Sequence, residues 1–121
     1  MEFIRKEDIT ILTSDFQDSH QLIWSENSSS ERITITKVYV HPGKVNCRHQ
    51  HECSEQIWIA VHGIATLLLD HDNTMDFREG DVVRFADGDI HGVMNNMNEE
   101  FIYISVTSPP INFRYAYNNE K

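Results

Sequence analysis

From Ile9 onward, β-branched and aromatic residues fall in short alternating runs broken by turn residues, the period-two signature of half-buried strands and not the 3.6-residue period of a helix. The runs occupy residues 31–41, 56–61, 65–70, 74–77, 82–85, 90–94 and 101–107, lengths that suit the strands of a sandwich or barrel. Between them lie His41-Pro42-Gly43, His71-Asp72-Asn73, Arg78-Glu79-Gly80 and Asp87-Gly88. Each carries a residue that tolerates positive φ or a proline that presets it, so hairpin connections are expected. Residues 27–30, Asn-Ser-Ser-Ser, read as a loop ahead of the first long strand. Pro109 and Pro110 end the last run because neither can donate to a ladder. In the tail, residues 108–121, Ile111, Phe113, Tyr115 and Tyr117 alternate and predict one more strand packed on another surface. The pattern as a whole predicts a single all-β domain over residues 1–121.

Composition narrows the partners. Ten Lys and Arg stand against 19 Asp and Glu, a formal charge of -9, so the field of the protein repels phosphate backbones and anionic lipid. Neither nucleic acid nor a membrane is an expected partner; a small molecule is. Cys47 and Cys53 are too few for a disulfide framework and read as free thiols in a reducing compartment. No apolar run reaches about 18 residues, and residues 1–7 lack the apolar centre of a secretory signal. A cytoplasmic location is the expectation.

His49 and His51 are separated by one residue, so on an extended segment both imidazoles project from one face with Cα atoms about 6–7 Å apart. Two neutral ring nitrogens so placed can meet one metal ion; two histidines on a solvated strand are the plain alternative. Cys47 shares their parity and Cys53 follows, which raises a mixed Cys and His zinc site as a competing reading. The absence of a Cys-x-x-Cys knuckle weighs against it, and Cys47 reads better as a small buried hydrophobe. Arg48 alternates with the histidines and should point away from them.

The surroundings of the pair add far more. The chain reads Gly43, five residues, His49, one residue, His51, four residues, Gln56, six residues, Gly63. After 16 residues it reads Gly80, five residues, Ala86, one residue, Gly88, two residues, His91, three residues, Asn95. These segments resemble the two motifs of the cupin superfamily, motif 1 over residues 43–63 and motif 2 over residues 80–95, with Ala86 in place of the usual proline. The resemblance implies the cupin barrel, a double-sheet jelly roll in which His49, His51 and His91 converge on one divalent metal ion. It also implies a fourth ligand from motif 1, where cupins most often carry Glu. The spacing to Gly63 selects Gln56, whereas the spacing from His51 selects Glu55. Strand neighbours point to opposite faces, so only one of the two can face the metal; Gln56, which shares parity with Trp58, is favoured.

With Gln56, four neutral donors leave the charge of the ion uncompensated, which favours an anionic, chelating substrate. Such a set suits Fe, Mn, Ni, Zn or Cu, and not calcium or magnesium. Trp58 and Phe85 are expected either as walls of a pocket or as core, and Cys47 could face the same cavity. Tyr103 and Ser105 are candidates for hydrogen-bond donation or proton relay. His20, His41, His62 and His71 have no partner at motif spacing and default to surface or core. The His, His, Gln, His set is similar to that of small cupins that ketonise unsaturated uronates and of certain polyketide cyclases. The leading expectation is therefore a metal-dependent isomerase, tautomerase or cyclase acting on a small anionic carbonyl or carboxylate compound. A metal-dependent dioxygenase and a non-catalytic sensor or binding cupin are the alternatives. The resemblance further implies a homodimer, formed through an exchanged terminal strand or a sheet edge.

Overall fold

The structure, a computed structural model, describes residues 1–117 and the backbone of residues 119 and 120. In chain order its strands are β1 (Thr10–Thr13), β2 (Gln17–Ile23), β3 (Thr34–Val40), β4 (Val45–His49), β5 (Glu55–His62), β6 (Ile64–Leu68), β7 (Thr74–Arg78), β8 (Val82–Phe85), β9 (His91–Met94), β10 (Phe101–Ser108) and β11 (Asn119–Glu120). Every run of alternating residues read from the sequence is a strand, β3 and β5 through β10. Sequence reasoning did not single out β1, β2 or β4. A seven-stranded sheet has the order β11-β1-β2-β3-β10-β5-β8 and a four-stranded sheet the order β4-β9-β6-β7. The pairings are antiparallel, and the two sheets pack as a double-sheet jelly roll.

Alternation decides what lies between the sheets. β3 buries Thr34, Thr36, Val38 and Val40; β10 buries Phe101, Tyr103, Ser105 and Thr107; β5 buries Gln56, Trp58 and Ala60. The register sets Phe101 beside Val40, Tyr103 between Val38 and Ala60, Ser105 between Thr36 and Trp58, and Thr107 between Thr34 and Gln56. The buried face of the large sheet thus changes from apolar at one end to polar at the other. Its apolar end joins Ala65, Leu67, Phe77, Phe85 and Val93 in a single core. Each large apolar side chain withdrawn from water there contributes about 1.5–3 kcal/mol. The polar end borders a cavity.

Two motif residues turn corners. Gly63, at φ +90°, carries the chain from β5 in one sheet to β6 in the other; a Cβ there would lie 3.2 Å from the carbonyl oxygen of Glu100. Asn95 is fully buried after β9. Its amide donates to the carbonyls of Val40 and Glu99, and its Oδ1 accepts from the N–H of Met97. Asn95 therefore satisfies the backbone of a buried turn.

The tail departs from expectation. Residues 111–117 form no strand: Phe113–Ala116 is a 3-10 turn with no buried residue, and among the described residues Asn119 and Glu120 of β11 pair with β1 beyond it. Three of the four alternating residues, Phe113, Tyr115 and Tyr117, border the cavity instead.

Candidate metal centre

β4 and β9 run antiparallel with His49 opposite His91. The register slips between Asn46 and His49, a bulge of the kind that re-aims side chains. Gly92 allows the two backbones to meet: a Cβ there would stand 2.6 Å from the carbonyl oxygen of Asn46 and 3.0 Å from the amide of Arg48. β4 ends at His49, so His51 does not share an extended strand with it. It sits in the connection to β5, where its carbonyl accepts the Gly88 N–H at 2.8 Å. The three rings gather nonetheless, with centroids 4.4 Å apart for His49 and His91, 5.2 Å for His49 and His51, and 5.3 Å for His51 and His91. One nitrogen from each lies within 4.8 Å of the other two.

Hydrogen bonds fix the tautomers of two rings. Nδ1 of His49 faces the carbonyl of Cys47 at 2.8 Å, and Nδ1 of His91 faces the carbonyl of Asp89 at 3.0 Å. A carbonyl only accepts, so each Nδ1 carries a proton, and in the neutral ring the lone pair is on Nε2. His91 is 1% exposed, and its Nε2 has no partner. Burial, helped by the neighbouring His49, pushes the His91 pKa down to about 4; the same two causes lower that of His51. Both are neutral imidazoles near pH 7. Three imidazole nitrogens about one point, one of them a buried lone pair with nothing to bind, fit a transition-metal ion.

The supporting shell is local. Phe85 does not line the cavity; it stacks on the His91 ring at 4.5 Å and 17°, with Trp58 edge-on to the same ring at 5.4 Å. The replacement of proline by Ala86 has a use here, because its N–H donates to Asp89 Oδ2 at 2.8 Å, a bond proline could not make. That bond tightens the turn whose Asp89 carbonyl orients His91.

Gln56 and Glu55 part as strand neighbours must. Gln56 is buried and lines the cavity; its Oε1 accepts from the Trp58 indole at 3.1 Å and its amide donates to Thr107 at 3.0 Å. Glu55 faces outward in an ion pair with Arg84 at 3.0 Å. Arg48 turns its guanidinium away from the rings, onto the carbonyls of Leu69 and Asn73. Cys47 is exposed at the cavity wall and not the buried hydrophobe expected, because the bulge holds its backbone at the barrel mouth; Cys53 is exposed as well. His20 packs on Tyr39, His41 lies between Asp18 and Glu100, His62 between Glu79 and Glu99, and His71 pairs with Asp70.

The cavity measures about 360 Å³. His49, His51, Gln56, Trp58, Tyr103 and Ser105 line it, as do Gln17, Ser19 and Thr36 of the large sheet and Phe113 and Tyr117 of the tail. Among the described residues no Asp or Glu lines it, despite a chain charge of -9. Gln17, Ser19, Thr36, Phe113 and Tyr117 were missed by sequence reasoning. The signal available was polar residues at alternate positions 17, 19 and 21, and again at 34 and 36.

A jelly roll that gathers three histidines beside a small cavity is a barrel of the cupin kind. The family profile described as the cupin domain matches residues 36–107, and the chain belongs to that family. No curated protein sequence matches it significantly. Among solved structures it is similar to KdgF from Halomonas sp. (20% identity, TM-score 0.76, covering 92% of this chain and 96% of that one). It is also similar to the polyketide cyclase RemF from Streptomyces resistomycificus (19%, 0.78, 89% and 79%). A third is the cupin-superfamily sugar phosphate isomerase from Silicibacter pomeroyi (18%, 0.74, 88% and 74%). At such identities the likeness is one of fold.

Proposed function

We propose that this cupin holds one divalent transition-metal ion on His49, His51 and His91, with Gln56 as the fourth side chain. In this reading it acts on a small anionic carbonyl or carboxylate compound by isomerisation, tautomerisation or cyclisation. The observation that carries the reading is the orphaned, buried Nε2 of His91 gathered with His49 and His51, two imidazoles that border a cavity lined, among the described residues, by no carboxylate. Bound there, Fe, Mn, Ni, Zn or Cu would supply a Lewis acid to a substrate oxygen. With no acidic ligand or wall to offset the charge of the ion, an anionic ligand is favoured and a cationic one is not.

The chain's own groups suit this chemistry. Burial raises the Tyr103 hydroxyl well above its ordinary pKa, so it stays protonated and can donate to an oxygen on which charge develops. Trp58 and Tyr103 stack at 4.3 Å and, with Val38, give the cavity an apolar wall that excludes water from the reacting carbons. Ser19, Thr36 and Ser105 add neutral hydroxyls that can hold a hydroxylated substrate in one orientation. A cyclase and an isomerase among the structural neighbours are in keeping with this choice. Two free, exposed thiols suit a reducing cytoplasm. Among the described residues no helix is long and apolar enough to cross a membrane.

Elemental analysis of the untagged protein tests the centre. Near-stoichiometric metal is expected in the wild type, loss in His49→Ala with His91→Ala, reduced retention in Gln56→Ala and no change in Glu55→Ala. Metal-free protein after soaking with each ion would overturn the reading. Given metal, conversion of a 2-oxo or uronic acid is expected across a substrate panel. Recovery of every bound acid unchanged would make the protein a binder, and metal-dependent oxygen uptake would replace isomerisation with dioxygenase chemistry.

A further inference from the structure

Residues 111–117 contribute Phe113, Tyr115, Ala116 and Tyr117 to the cavity wall. The Phe113 ring stands edge-on to His51 at 5.8 Å, and the Tyr117 hydroxyl accepts from Gln17 Nε2 at 2.7 Å. Yet the 3-10 turn Phe113–Ala116 has no buried residue. Side-chain contacts fasten it, and β11 pairs with β1 beyond it. Thr34 Oγ1 bonds the backbone of Ile111, and Asn112 Nδ2 donates to Ser25 and Glu26. Arg114 grips both oxygens of Glu26 in a bidentate pair and lies over the Trp24 ring at 5.1 Å. That pair is more than 40% exposed on both sides, and exposed ion pairs are weak. A segment that covers a cavity, has no buried residue in its central turn and is held there by an exposed ion pair belongs to the part of a fold that opens first.

We propose that residues 111–117 are a strap that closes the ligand site. A ligand enters when Arg114 releases Glu26, and in the closed state Phe113 and Tyr117 touch it and set which molecules fit. Tyr117 and Gln17 are then specificity-determining residues. Gln17 is 5% exposed and its Oε1 has no partner, so this corner lacks a hydrogen-bond donor that a ligand hydroxyl would supply once the Gln17 and Tyr117 contact rearranges. The ligand class this favours is a small acid with an aromatic-facing carbon skeleton and at least one hydroxyl. The inference rests on the cavity being the ligand site and does not require that the metal be catalytic.

The test uses the full chain and Co(II) as the probe. Glu26→Ala and Arg114→Ala should take up Co(II) as the wild type does but lose it to EDTA about two- to fivefold faster, the range an exposed ion pair spans. The charge-swapped double variant Glu26→Arg with Arg114→Glu should return toward the wild-type rate. In metal-free protein the same single variants should speed amide hydrogen exchange across residues 111–117 and leave β10 unchanged. Thermal unfolding within a few degrees of wild type shows that the variants fold. Equal EDTA rates and equal exchange in all variants would overturn the strap. Failure of the wild type to bind Co(II) would instead overturn the metal reading, with hydrogen exchange alone then deciding the strap.

Discussion

Acid should weaken the metal-free protein through His91. In an unfolded chain its imidazole titrates near 6.5, whereas in the fold burial and His49 hold it to about 4. As pH falls from about 6.5 to about 4, the unfolded state therefore takes up a proton that the folded state refuses, and stability declines across that window. Above it the shift has no effect, and below it both states are protonated and the loss is complete. The gap of roughly 2.5 units corresponds to about 3 kcal/mol. That is about a fifth to three fifths of the roughly 5–15 kcal/mol of a typical domain. His51 shifts the same way and adds to it. His91→Leu removes the titration and keeps an apolar partner for Phe85, so urea unfolding of both proteins in EDTA isolates the effect. Carboxylate titrations are common to the two and cancel in the difference. The wild type should lose about 3 kcal/mol relative to the variant between about pH 7.5 and about pH 4. Parallel pH profiles would refute the buried, neutral state of His91.

Gly92→Ala should cost about 1–3 kcal/mol by thermal unfolding and reduce metal retention, because its Cβ would meet the Asn46 carbonyl at 2.6 Å and force β4 from β9. Unaltered stability and metal content would mean that the close approach is not needed. Asp89→Ala removes the acceptor for the Ala86 N–H and loosens the turn that orients His91; about 10-fold weaker Co(II) binding is expected by competitive titration, and unchanged affinity would contradict it. A homodimer is expected through the outer face of the large sheet, where Ile59, Val61 and Val82 are exposed beside the edge strand β8. Sedimentation at micromolar concentration should show a dimer that Val82→Lys dissociates, whereas a 14.1 kDa wild-type monomer would refute it.

The strands that were legible bury apolar side chains on one face, as in Val38 and Val40 of β3 or Phe101 and Tyr103 of β10, and there hydrophobic alternation is the signal itself. The histidines were legible for another reason, because their spacing to the turn glycines matched a known pair of motifs. β4 gave no alternation, since most of its residues are exposed. The tail gave a false one. Aromatic residues two apart serve equally a strand on a core and a strap over a cavity, and sequence spacing does not separate a dry apolar floor from a ligand-sized space.

β2 is the most instructive failure. It alternates as cleanly as β3, but the buried positions are Gln17, Ser19 and Gln21, so a search for apolar periodicity passes over it. A strand that buries amides and a hydroxyl gives up part of the hydrophobic stabilisation its position could provide, and leaves Oε1 atoms of Gln17 and Gln21 unsatisfied. Local rules only partly compensated inside the fold point to a requirement outside it. Here Gln17 and Ser19 border the same cavity as His49, His51 and Tyr117, and the proposed ligand would meet that requirement. The polar half of the large sheet and the histidines of the small one are then two sides of one site.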